Sequence, residues 1–182
     1  MFGMPTYLAF TSQLIPRDQI GPNQKVNTGE AGLNLNTGGK YGVIMQPFLS
    51  PIGLPCQALP WGYVAGADLR NGKIAWRHKN GTIQDMAPVP APIKLGVPGI
   101  GGPIITAGGV AFLAATVDNY LRAYDLTTGE QLWQHRLPAG GQATPMTYMA
   151  GGRQLVVQVA GGHGSLGTDA GDYVVAYGLP RT

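Results

Sequence analysis

A chain of 182 residues with 44% hydrophobic side chains is long enough to bury a core, which argues against a disordered segment even though 29 glycines and 15 prolines make up about a quarter of it. Its net charge of +3 rests on 12 basic and 9 acidic residues, and the densest basic group is only Arg77, His78 and Lys79, so the basic stripe that nucleic-acid binding needs is missing. The lone Cys56 excludes an internal disulfide and a cysteine-based zinc site, and is expected to be a buried, inert thiol.

The opening "MFGMPTYLAF" lacks the basic region and apolar run of a signal peptide. Residues 1–60 carry few periodic segments and read as an irregular, loop-rich stretch. Within it "GPNQKVNTGEAGLNLNTGGK", residues 21–40, is expected to be an exposed excursion. The apolar, proline-rich run from Tyr41 to Tyr63 is expected to be buried without regular structure.

From residue 61 a repeat begins. "GADLRNGKIAW" (Gly66 to Trp76) and "AYDLTTGEQLW" (Ala123 to Trp133) align Asp68 with Asp125, Leu69 with Leu126, Gly72 with Gly129 and Trp76 with Trp133, each pair 57 residues apart. Each copy is predicted to be a strand, a tight turn and a returning strand, with the aspartate accepting turn N–H groups and the glycine supplying positive φ. The tryptophan then closes the hairpin onto a neighbour.

Gly96 to Val117 holds no charge, yet Pro98, Pro103 and five glycines between Gly99 and Gly109 would break a membrane helix, so the stretch is expected to be buried sheet. The second unit predicts strands at 103–106, 110–116, 120–125 and 130–137. A third follows with "ATPMTYMA", "QLVVQVA" and "YVVAYGL", in which Met146 and Tyr148 are expected in the core and Gln142 and Thr144 as structural loop groups. A period of 40 to 60 residues with this content signals propeller blades rather than a helical solenoid, and about three blades are fewer than the roughly four that close a ring.

"GGHGSLG", Gly161 to Gly167, contains G-x-G-x-x-G after a strand, but "TDAGDYVVAYGLP" follows where a dinucleotide fold needs a helix, so that reading fails. A calcium-binding nonapeptide is set aside as well, because Leu166 and Thr168 stand where it needs a carboxylate.

The motif A-x-D-x-x-T-G-x-x-x-W, complete at Ala123, Asp125, Thr128, Gly129 and Trp133, resembles the tryptophan-docking motif of the pyrroloquinoline-quinone (PQQ) dehydrogenases; the first copy departs from it at Gly66 and Asn71. With "QPFLSPIGLPC", "WGYVAGADL", "GGPIITAGGVAFLAATVDNYLRAYD", "LPAGGQATPMTY" and "VAGGHGSLGTDAGDYVVAYGLP", the chain from Phe2 to Pro180 resembles the C-terminal part of the membrane-bound quinoprotein glucose dehydrogenases. The resemblance implies an all-β fold, about three C-terminal blades of an eight-bladed propeller. Residues 1–60 would belong to that propeller as loops, and 61–182 would form the blades. It also implies PQQ with Ca2+ or Mg2+, oxidation of an aldose at C1 to the lactone, and electron transfer to ubiquinone. The setting implied is periplasmic, the parent enzyme being held in the inner membrane by N-terminal helices absent here.

The cofactor-binding residues implied are His163 with Gly162 and Gly164 in the loop at the propeller mouth, Asp118 beside the axial opening, and Gly81, with Thr82, in the loop after the first docking motif. For Asp118 and Asn119, turn capping stands as the other reading. No catalytic base and no metal ligand is assigned, because in the family these belong to earlier blades. A related quinoprotein alcohol or polyol dehydrogenase, and a non-catalytic interaction module, are the competing readings. Exposed blade edges predict self-association.

Overall fold

The computed structural model describes residues 1–26, 31–88 and 91–180; part of the expected 21–40 excursion, residues 27–30, lies outside them. Among the described residues the regular structure is all strand, apart from three-residue 3-10 turns at Arg17–Gln19 and Gly164–Leu166. No helix among them is long and apolar enough to cross a membrane. The chain divides into one unit of Met1–Tyr7 with Ala58–Thr182, and another of Leu8–Gln57.

Strand β1 (Phe2–Gly3) opens the first unit. The second unit holds β2 (Phe10–Pro16), β3 (Gly32–Asn34) and β4 (Tyr41–Pro47) in an antiparallel sheet of order β2-β4-β3. The expectation of an irregular stretch over residues 1–60 is therefore corrected. Strands β2 and β4 pair without a break from Phe10↔Pro47 to Pro16↔Tyr41. Both prolines sit at the ends of that ladder, where their missing N–H does least harm, and the mixed polar and apolar character of each face hides the period of two. Cys56 follows this sheet in a turn and is exposed, which corrects the buried-thiol expectation; its N–H donates to the Phe48 carbonyl at 3.1 Å.

Three antiparallel sheets make up the first unit. Strand β1 pairs with β5 (Tyr63–Asp68), and β5 with β6 (Lys73–Lys79), so the chain's first residues complete a blade that the sequence reading began only at residue 61. Next comes the four-stranded meander β7 (Ile104–Ile105), β8 (Val110–Leu113), β9 (Tyr120–Asp125) and β10 (Gln131–Arg136). The third sheet is β11 (Met146–Ala150), β12 (Arg153–Ala160) and β13 (Tyr173–Gly178). The uncharged stretch 96–117, expected as buried sheet, is strand only at Ile104–Ile105 and Val110–Leu113; the rest is loop and turn, with Ile100 and Ile105 exposed. Met146 and Tyr148 are exposed rather than core, because β11 is paired on one side only.

One apolar cluster joins Phe2 and Val64 of the first sheet to Ala111, Leu113, Ala115 and Tyr124 of the second. Another joins Ala114, Leu121 and Leu137 of the second to Val156 and Ala160 of the third. Each fully buried valine or leucine in them contributes about 1.5–3 kcal/mol.

The repeat folds as its spacing predicts. Asp68 accepts the Arg70 N–H, and Asp125 accepts the N–H groups of Thr127 and Thr128; Gly72 and Gly129 take φ of +69° and +77°. Trp76 crosses to the next blade, where its indole Nε1 donates to the Leu126 carbonyl at 3.1 Å and its ring lies on Gly129. Trp133 makes the matching contact with Tyr177 of the third sheet, ring centroids 5.2 Å apart. Gly66, which departs from the motif, faces Trp76 across the ladder, and a Cβ there would come within 2.5 Å of the indole.

Candidate functional site

Antiparallel meanders send alternate connections to opposite ends of a sheet. The Asp–Gly turns after β5 and β9, with the short turns after β7 and β11, occupy one end. Residues 80–88, 91–103, 114–119, 137–145 and 161–172 share the other. Hydrogen bonds run directly between these loops: Val117 N–H to the Pro98 carbonyl, Leu137 N–H to the Asn119 carbonyl, and Gly162 N–H to the Gly140 carbonyl at 2.8 Å. Gly81, Asp118, Gly162, His163 and Gly164 all lie on this end.

Asp118 is fully buried, and both of its carboxylate oxygens are engaged. Thr82 donates to Oδ2 through its N–H at 2.7 Å and its hydroxyl at 3.1 Å, and the Thr116 hydroxyl donates to Oδ1 at 2.6 Å. Arg122, 2% exposed, forks across the carboxylate, Nη1 on Oδ1 at 3.0 Å and Nη2 on Oδ2; Nη1 also donates to Thr116 Oγ1 at 2.8 Å. A carboxylate in the loop after β8 thereby holds the loop after β6, while Arg122 on β9 supplies the countercharge. Beside it the buried Tyr124 hydroxyl donates to Asn80 Oδ1 at 2.5 Å, and burial pushes its phenol far up, keeping it neutral.

Burial alone would raise the Asp118 carboxyl, but the Arg122 guanidinium, with the Thr116 and Thr82 hydrogen bonds, outweighs it and holds the group below its ordinary 3.8. A carboxyl depressed on folding contributes stability above its unfolded pKa and loses it as pH falls through the folded value. The difference in thermal midpoint between the protein and its Asp118→Asn variant is thus expected to stay constant from pH 7 to about 4 and to shrink below that. A difference that already falls between pH 7 and 5 would contradict the assignment.

Gly81 lies against this clamp. Its φ is +84°, and a Cβ would meet Val97 at 2.5 Å and Thr116 at 3.3 Å. Gln142 ties the same loops together: its Oε1 accepts the Ile100 N–H and its Nε2 donates to the Thr116 carbonyl, while Thr144 Oγ1 accepts the Gly102 N–H. The structural role expected for Gln142 and Thr144 is what they perform.

The loop 161–167 contains no Rossmann helix, only the 3-10 turn Gly164–Leu166, ended by Gly167 in the left-handed region. Its N–H at His163 donates to Thr168 Oγ1 at 2.8 Å. The loop's glycines divide into two kinds. A Cβ on Gly162 would strike the Asp169 carbonyl at 2.3 Å, whereas Gly164 faces open space. Nearby, Ser165 Oγ is buried without a hydrogen-bond partner, as is Asn119 Oδ1 on the neighbouring loop.

The structure brings Gly81 and Asp118 into one cluster and ties the His163 loop to it through residues 137–142. Arg122, the partner that defines the Asp118 site, went unremarked in the sequence reading. The signal was available: a cation flanked by apolar residues inside the strand "YLRAYD", four residues after the aspartate. Among the described residues no group of three or more His, Cys, Asp or Glu side chains is placed to hold a metal ion.

Comparison with known proteins gives a consistent result. A family model described as "PQQ: Glucose/ethanol/alcohol dehydrogenase, beta-propeller domain" matches residues 1–156. The chain is 54% identical to the quinoprotein glucose dehydrogenase of Escherichia coli (strain K12), over 97% of this chain and 23% of that protein. It is 50% identical to the quinoprotein glucose dehydrogenase of Gluconobacter oxydans (strain 621H), over 98% and 24%. Among solved structures, a europium-containing methanol dehydrogenase superposes with a TM-score of 0.52 at 22% identity, over 88% of this chain and 22% of that one. The chain spans about a quarter of the length of these relatives.

Proposed function

Because the chain belongs to the β-propeller family of PQQ-type glucose/ethanol/alcohol dehydrogenases, we propose that it forms part of a quinoprotein glucose dehydrogenase, oxidising D-glucose at C1 to gluconolactone and passing electrons to ubiquinone. What carries the reading is that loops from all three blades, holding Gly81, Asp118 and Gly162 to Gly164, meet at one end of the sheets and are hydrogen-bonded to each other. We propose the periplasm as its setting, with the parent enzyme anchored in the membrane outside this chain.

The residues present fit a flat polar quinone: an open glycine face at Gly164 next to the buried Ser165 Oγ, and on the loop after β8, at the same end of the sheets, the buried Asn119 Oδ1, both atoms lacking hydrogen-bond partners. When bound, the quinone supplies the two-electron acceptor. His163 and Gly164 would line its edge. Asp118 would act indirectly, by fixing Thr82 and Gly81, since its own oxygens are already engaged. A Ca2+ or Mg2+ ion and the base for the C1 hydroxyl would draw on residues outside this chain; Asp169 and Asp172 are exposed and are given neither role.

The test is glucose-dependent dye reduction by the full-length protein loaded with PQQ and Ca2+ or Mg2+, with the 182-residue chain alone expected to show no turnover. In the full-length protein Gly164→Val is expected to leave the thermal midpoint unchanged and to weaken quinone binding about tenfold, equivalent to about 1.4 kcal/mol. Unaltered quinone affinity in Gly164→Val would remove the 161–167 loop from the site. Absence of glucose turnover in the loaded full-length protein would overturn the functional reading.

A further inference from the structure

The loop that leaves β6 passes the outer strands of the next blade, and between them lies a cavity of about 230 Å³ lined by Gln84, Lys94, Tyr120, Arg122, Gln131 and Gln134. Its walls join polar and cationic groups to the apolar faces of Pro92 and Tyr120. Two guanidinium groups lie over the Tyr120 ring, Arg122 at 5.0 Å and Arg136 at 5.5 Å from its centroid. Arg122 is neutralised by Asp118, and Arg136 pairs with Asp85 at 2.6 Å. Lys94 has no such partner: among the described residues it forms no ion pair, and its Nζ donates only to Gln131 Oε1, at 3.5 Å. The cavity therefore carries, on the exposed Lys94, one positive charge without an ion-pair partner; Gln131 is engaged at both ends, its Nε2 donating to Gln134 Oε1 at 3.1 Å, which leaves the Gln84 carboxamide and Gln134 Nε2 to meet a ligand.

We infer that this cavity binds a small polyhydroxylated carboxylate, a sugar acid, with its carboxylate on Lys94 and its hydroxyls on the Gln84 carboxamide and Gln134 Nε2. A single unpaired ammonium matches a monoanion better than a phosphate dianion. Carboxamides match hydroxyls, because each satisfies a donor and an acceptor at once. The cavity falls below the roughly 300 Å³ at which drug-sized pockets begin, which limits it to a small ligand. Burial, and the charge of Arg122, also press the Lys94 ammonium downward, a penalty that a bound carboxylate would relieve.

The experiment is a calorimetric titration of the full-length protein, without added quinone, using D-gluconate as the probe and D-glucose, acetate and inorganic phosphate as comparators. Gluconate is expected to bind at least about tenfold more tightly than each comparator; Lys94→Gln weakens it about tenfold, and Lys94→Arg keeps most of the affinity. Failure of gluconate to bind, equal binding to Lys94→Gln, or phosphate binding as tightly as gluconate would each overturn the proposal. Since the titration requires neither quinone nor turnover, its failure leaves the dehydrogenase reading intact, and a failed turnover assay leaves this site intact.

Discussion

Replacing Arg122 with methionine is expected to destabilise the protein by about 3–5 kcal/mol, the cost of leaving one member of a buried ion pair without its partner. The side chains are of similar length, so little packing volume is lost; the penalty is electrostatic. Asp118 is fully buried, and the Thr82 and Thr116 hydrogen bonds that remain cannot balance its charge. Removing both charges, as Asp118→Leu with Arg122→Met, is expected to recover most of the loss. A residue of about 1–3 kcal/mol should persist, because the Thr82 N–H then lacks its acceptor. Chemical denaturation of the single and double variants measures the coupling. Additive losses would show that the carboxylate and guanidinium do not act as a unit.

The second large effect is expected at the indole that joins the blades. Gly72 and Gly129 occupy equivalent turns with similar positive φ, yet nothing lies within 4 Å of a Cβ on Gly72, while one on Gly129 would meet the Trp76 ring at 2.3 Å. Gly72→Ala should then cost only the left-handed backbone penalty of about 1–2 kcal/mol. Gly129→Ala adds displacement of the indole, and Trp76→Ala by itself should cost about 3 kcal/mol, the low end for a large aromatic that is partly buried. The decisive comparison is Gly129→Ala in a Trp76→Ala background. There its excess over Gly72→Ala should shrink to what His78 imposes, whose Cδ2 would lie 2.7 Å from the new Cβ, and an undiminished excess would mean that the glycine does not serve the tryptophan.

Why the blades were legible and the clamp was not follows from the range of the interactions. Asp125, Gly129 and Trp133 stand within nine residues of each other, and each has a local task, so their spacing announces the turn before any partner is known. The 57-residue repeat then places one blade beside another. Strands β2 and β4 were missed because polar and apolar residues mix on each face and because prolines end both; β1 was missed because two residues hold no period. The Asp118 clamp depends on Thr82, 36 residues away, and on a strand arginine that a pattern of apolar residues passes over. Lys94 and its glutamines come from a loop and from a distant strand, and no spacing connects them.

The tryptophan contacts have a direction. Trp76 packs on Phe2 and Gly66 of its own blade but finds its carbonyl acceptor 50 residues further along the chain, and Trp133 likewise meets Tyr177 on a later strand. During synthesis, Trp76 and Trp133 must each wait without the later partner until the ribosome has delivered the blade that holds it. Between one blade and the next the growing chain therefore carries a half-covered aromatic edge, and that edge is where a holding chaperone would be needed and where a stalled chain would first stick to another.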